Sequence, residues 1–195
     1  MAGRWNRVGV LFAVFLAAAA CLPVTSKSPL GTTAGYKADP QLAGMWKSAS
    51  DQSAPWFAFF PQPDGSTKAV MIEPASQSDK GGWMVFDLRT TTLGSDRYMD
   101  ASVIEDDGKP PAQALDHIPV LYSFGADGSL TLTVMDEDAV KDAISAGKIA
   151  GQAEPGQTGD VVLTATPAAL DAFLESPGGR ALFKKPLVTL SRVKS

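Results

Sequence analysis

From Leu42 to the C-terminus, turn signals cut the chain into short runs of strand-forming residues, and this rhythm constrains the fold more than any other feature. The candidate strands are Ala43–Ser50, Trp56–Pro61, Thr67–Pro74, Trp83–Thr92, Tyr98–Asp106, Ile118–Phe124, Ser129–Met135, Asp160–Ala165 and Pro186–Val193. Asp127-Gly128 sits between Ile118–Phe124 and Ser129–Met135 and supplies the positive φ that a tight hairpin turn requires. Pro63-Asp64-Gly65 does the same between the second and third runs. Met84, Phe86 and Leu88 share one parity while Asp87 and Arg89 share the other, so that strand has an apolar face and a wet face. Closing such a small sheet removes its exposed edges. The expected class is mainly β, an antiparallel barrel or strongly curved sheet of about eight or nine strands.

Two short helices interrupt the strands. Asp136 or Glu137 can open Asp138–Ala146, where Ala139, Val140, Ala143 and Ile144 make an apolar stripe and Gly147 can cap the end. The second begins at Thr166-Pro167, an N-cap hydroxyl followed by proline in the first turn. Leu170, Phe173 and Leu174 then follow at helical spacing, and Gly178-Gly179 ends the segment. An open or partly closed sheet carrying these two helices is the alternative to a barrel.

The N-terminus concerns location. Arg4 and Arg7 precede an apolar run, Val8 to Ala20, which is shorter than the roughly 20 residues a helix needs to cross a bilayer. It suits the core of a signal peptide, and Leu16, four alanines and Cys21 follow as a cleavage region. This pattern resembles the precursors of bacterial lipoproteins. The resemblance implies removal of residues 1–20, acylation of Cys21 and a membrane partner reached through that lipid. Leu22, rather than an aspartate after the cysteine, implies the outer membrane of a Gram-negative envelope. Simple export or an uncleaved anchor are the other readings. Residues 22–40 carry three prolines, two glycines and many hydroxyls, which reads as a tether with ends about 20–25 Å apart. An ordered arm packed on the domain is the alternative. The remainder, 41–195, reads as one β-rich domain.

The formal charge of −4 becomes about −6 once Arg4 and Arg7 are lost, which argues against a nucleic-acid partner. Cys21 is the only cysteine, so no internal disulfide can form.

Gly44-Met45-Trp46 lies on the first candidate strand. Gly-x-Trp at this place resembles the lipocalins and the wider calycin superfamily. That resemblance implies that Trp46 plugs the closed end of a barrel, that Gly44 relieves crowding there, and that Arg192 on the last strand packs across the indole. A guanidinium over an indole face contributes about 0.5–2 kcal/mol.

Chemistry is sparse. His117 is the only histidine and reads as a strand-end residue. Without a second histidine or a free thiol, a zinc site would rest on carboxylates, which zinc disfavours. No Gly-x-Ser-x-Gly elbow, phosphate loop or dinucleotide fingerprint is present. Glu105-Asp106-Asp107-Gly108 lacks the spacing of a calcium loop and reads as a solvated turn. No catalytic residue, metal or cofactor is expected. The densest apolar material is Trp56, Phe57, Phe59 and Phe60, with Trp83 and Phe86. Parity places Trp56 and Phe60 on one face and Phe57 and Phe59 on the other, so helices, a partner, lipid or a ligand must meet the face that is not core. With Met84, Phe86 and Leu88, these residues form the expected surface for a small apolar ligand or an envelope partner. The expected function is therefore non-catalytic binding. A filled structural or interaction domain is the second reading and a hydrolase-like enzyme the third.

Overall fold

The computed structural model describes residues 24–48, 54–75, 80–111, 116–153 and 161–194. Cys21 and the apolar run before it lie outside these residues. Among the described residues there are eleven strands: β1 (Thr25–Ser26), β2 (Gly44–Ser48), β3 (Trp56–Pro61), β4 (Thr67–Glu73), β5 (Gly82–Leu93), β6 (Asp96–Asp106), β7 (Ile118–Phe124), β8 (Leu130–Val134), β9 (Gly151–Ala153), β10 (Val161–Leu163) and β11 (Pro186–Arg192). Three helices, α1 (Glu137–Ser145), α2 (Pro167–Glu175) and α3 (Pro177–Arg180), lie between β8 and β11.

Eight strands close into an antiparallel barrel, running β2 through β8 as a meander before β11 seals it against β2. The closed barrel, rather than the open sheet, is what these residues form. Turn chemistry sets the hairpins. Asp64 accepts from the Ser66 amide and hydroxyl, and Asp127 does the same for Ser129. Gly65 and Gly128 take φ of +84° and +80°, as those turns demand. Asp136 and Thr166 cap α1 and α2 through the amides of Ala139 and Ala169. Gly178-Gly179, expected to end the second helix, falls instead inside α3, a further short turn capped by Ser176.

The run expected over Asp160–Ala165 leaves the barrel. As β10, it lies between β9 and β1 in a separate three-stranded sheet. This small sheet and the helices pack on the outside of the barrel and create a second core. In it, Leu93 and Tyr98 from the barrel wall meet Val140, Leu163, Leu170 and Leu174. Tyr98 is fully buried, and burial holds its phenol up at about 12.

The segment read as a tether is not free over its described part. Ser26 and His117 exchange backbone hydrogen bonds at 2.8 and 2.9 Å, and the Lys27 amide donates to the Leu163 carbonyl at 2.9 Å. Val24 and Leu30 are 2 % and 0 % exposed. Buried Asp171, on α2, accepts from the amides of Gly31 and Thr33 and from the Thr33 hydroxyl. Further on, the Thr90 and Thr91 hydroxyls donate to the carbonyls of Lys37 and Gly35. Low apolar content suggested a solvated chain, but two apolar anchors and a series of backbone partners on the outer wall suffice to fix it. Gly31 allows the close approach: it takes φ +84°, and a Cβ there would lie 2.6 Å from Thr91 Cγ2.

Candidate functional site

The arm ends at the floor of the barrel. Asp39 caps a 3-10 turn, Pro40–Leu42, that carries Leu42 under the strands. The Trp46 indole, 1 % exposed, donates from Nε1 to the Leu42 carbonyl at 2.7 Å. Arg192 pairs with Trp46 across the β11–β2 ladder, and its guanidinium carbon lies 4.4 Å from the indole centroid. The same guanidinium donates to the carbonyls of Gln41 and Ala43 and so ties the turn to the last strand. Gly44 takes φ +114°, and a Cβ there would sit 3.0 Å from Arg192 Nη1. Beside it, Arg97 donates to Asp39 and Gln41 and lies over the Phe124 ring. The Tyr122 hydroxyl donates to Asp39 at 3.0 Å. Burial and the neighbouring Asp39 carboxylate push that phenol up.

Register assigns the walls. Phe57, Met71 and Met84 stand side by side on β3, β4 and β5, and Phe59, Ala69 and Phe86 form the next row toward the floor. Leu88 continues this face to Ala101 and Ile118. Exposure along the bore is uneven. Near the floor Phe59, Leu88, Met99, Tyr122, Leu130 and Leu190 are buried. Toward the opposite end Phe57, Phe86, Ile118, Val120 and Val188 pack on that core yet stay half-buried, and Met84 is half-buried beside buried Met71. Trp46 closes one end of the barrel.

The expected binding surface therefore divides. Phe57, Phe59, Met84, Phe86 and Leu88 face the bore, whereas Trp56 and Phe60 face outward. The helices do not cover that outer face; they pack against β5, β9, β10 and one another. Phe60 is 52 % exposed, and Trp56 shares a cross-strand row with Ile72 and Trp83, which are 41 % and 44 % exposed. Lys47 lies over the Trp56 ring at 5.5 Å.

His117 is more than a strand-end residue. Its Nδ1 lies 2.8 Å from Oδ2 of Asp100, a carboxylate on the outer face of β6 that is 3 % exposed. Burial raises that carboxyl to about 6 against the opposing pull of His117. The Ser102 hydroxyl lies 3.3 Å from the same Nδ1. A serine–histidine relay needs the acid and the hydroxyl on opposite ring nitrogens. Here both meet one nitrogen, and the trio braces the arm where Ser26 pairs with His117. Asp100 and Asp171 carry no sequence signal, because their partners lie far along the chain.

Glu105-Asp106-Asp107 spans the end of β6. Asp107 accepts from the Trp83 amide, and Glu105 accepts from the Trp83 indole. Among the described residues no group of three or more histidine, cysteine or carboxylate side chains is placed to hold a metal ion. Compared with protein-family models, curated proteins and solved structures, the chain matches none.

Proposed function

We propose that this barrel holds a small apolar molecule in its open-ended bore, as the binding domain of a protein attached to a bacterial envelope membrane through a lipid on Cys21. The incompletely buried inner side chains of Phe57, Met84, Phe86, Ile118 and Val120 carry this reading. These side chains leave apolar area facing solvent inside a concave wall, the arrangement in which small ligands are held. An eight-stranded barrel is of the size that in some folds holds one small ligand and in others is filled by its own side chains. The meander order, with Arg192 over Trp46 at the closed end, resembles lipocalins and other calycins, whose barrels are used in this way.

The deciding experiment is native mass spectrometry of protein purified from its own membranes, beside a Val120→Trp variant. The expected result is a retained small molecule in the wild type, absent from a variant that keeps its circular dichroism and melting transition. Equal retention by both would sink the bore as the site. For the anchor, Cys21→Ser should move the protein from the membrane to the soluble fraction, and persistent attachment would overturn the lipid.

The outer row of Trp56, Ile72 and Trp83 favours a second reading, in which an envelope partner docks on the outside of β3–β5. A protein that co-purifies with the wild type and is lost on Trp83→Ser, with no small molecule retained, would establish it.

A further inference from the structure

The geometry points to a cationic amphiphile as the occupant of the bore: an apolar chain whose positive or proton-donating head lies against Asp106 at the open end. This rests on the bore reading and specifies its ligand. Asp106 stands directly across the ladder from Met84, on the face that carries Phe86 and Leu88 into the bore. It occupies the last position of β6, at the end away from Trp46. Glu73 shares the inward face of β4 with Met71, one step nearer the rim.

The neighbouring acids are otherwise committed. Glu105 and Asp107 both bond Trp83, whereas Asp106 Oδ1 is buried and has no hydrogen-bond partner. Its backbone is fixed by reciprocal hydrogen bonds with Lys109 at 2.7 and 3.0 Å. A buried acceptor without a partner favours any ligand that brings a donor to it. Burial and the charge of Asp107 also push the Asp106 carboxyl above its ordinary range. A positive head would relieve both.

The loops at the Asp106 end carry Lys80 and Lys109, but the inward-facing cations lie at the other end. Among the described strand residues, the inward positions that carry positive charge are Arg97 and Arg192. Both lie at the closed end, and both are engaged by the 3-10 turn and Asp39. Lys47 and Lys68 alternate with the inward residues of β2 and β4 and face out. A fatty-acid anion entering head-last would leave its carboxylate beside Asp106, and like charges at a half-buried rim repel. An ammonium or amine there is attracted instead.

The test is calorimetric titration of the protein with decylamine, decanol and decanoate, each below its micelle concentration. Decylamine should bind at least about tenfold more tightly than decanoate, with decanol between them. Asp106→Asn should bring the amine and the acid within about threefold while leaving decanol unchanged. Asp106→Ser provides a second variant should Asp106→Asn fold poorly, and it should narrow the same gap. Decanoate binding as tightly as decylamine, or an amine preference that survives both variants, overturns the charge selection. Binding of none of the three, decanol included, overturns the bore reading as well.

Discussion

Arg192→Met removes the guanidinium that closes the barrel floor while keeping most of its apolar stem. Three interactions go with it: the stack on Trp46 at 4.4 Å and the hydrogen bonds to Gln41 and Ala43. The stack is worth about 0.5–2 kcal/mol, at the lower end because Arg192 is exposed. A charged hydrogen bond contributes about 1.5–3 kcal/mol when well desolvated, and less here because water can replace the donor. A total loss of about 2 kcal/mol follows. At a slope of about 2 kcal/mol per molar urea, the unfolding midpoint should fall by roughly 1 M. The assay is urea unfolding followed by both circular dichroism and indole fluorescence. A cycle with Trp46→Leu isolates the stack and should return a coupling of about 0.5–1 kcal/mol. A loss below about 0.5 kcal/mol, or zero coupling, would show that the floor is held by Leu42 and its surroundings without the arginine.

Asp171→Ala strips the arm of three hydrogen bonds and leaves the Gly31 and Thr33 amides without their acceptor. The cost should be about 2–4 kcal/mol, and hydrogen exchange should show lost protection over residues 24–39 while the barrel strands keep theirs. Equal loss throughout would mean that arm and barrel are one cooperative unit. Asp100 gives a pH prediction of definite sign. Its folded-state carboxyl is raised to about 6 from 3.8, so the folded chain holds that proton more tightly than the unfolded one. Stability from this group is complete below pH 3.8 and is lost as pH rises to about 6. The stability of the wild type relative to Asp100→Asn should therefore decline across that window and level off above it, and a difference that grows with pH would refute the assignment.

The strands announced themselves where one face was wet. Parity on β5 separated Met84, Phe86 and Leu88 from Asp87 and Arg89, and the turn residues located the hairpins. On β3 parity failed to choose a face, because Trp56 and Phe60 are as apolar as Phe57 and Phe59. Only the ladder to Met71 and Met84 settles which pair enters the bore. The arm was illegible for a different reason. Its two-residue strand β1 has no periodicity, and its partners are Leu163, Asp171 and His117, more than 80 positions away. Asp100 looked like any polar residue on a wet face until the arm covered it. Backbone hydrogen bonds between distant segments leave no composition signature, so what packs on the outside of the barrel was the least readable part.

The fixed arm bears on how the domain would be carried. Cys21 stands three positions before Val24, a span of at most about 10 Å. Because Val24 is already locked beside β10, a lipid at Cys21 would hold the barrel on a leash of roughly two residues rather than on a long slack chain. The body would ride against the bilayer with one flank fixed toward it and little freedom to turn. A pull on the lipid would enter the fold at once, as shear along β1 and the His117 ladder, and the open mouth would keep a constant bearing to the membrane.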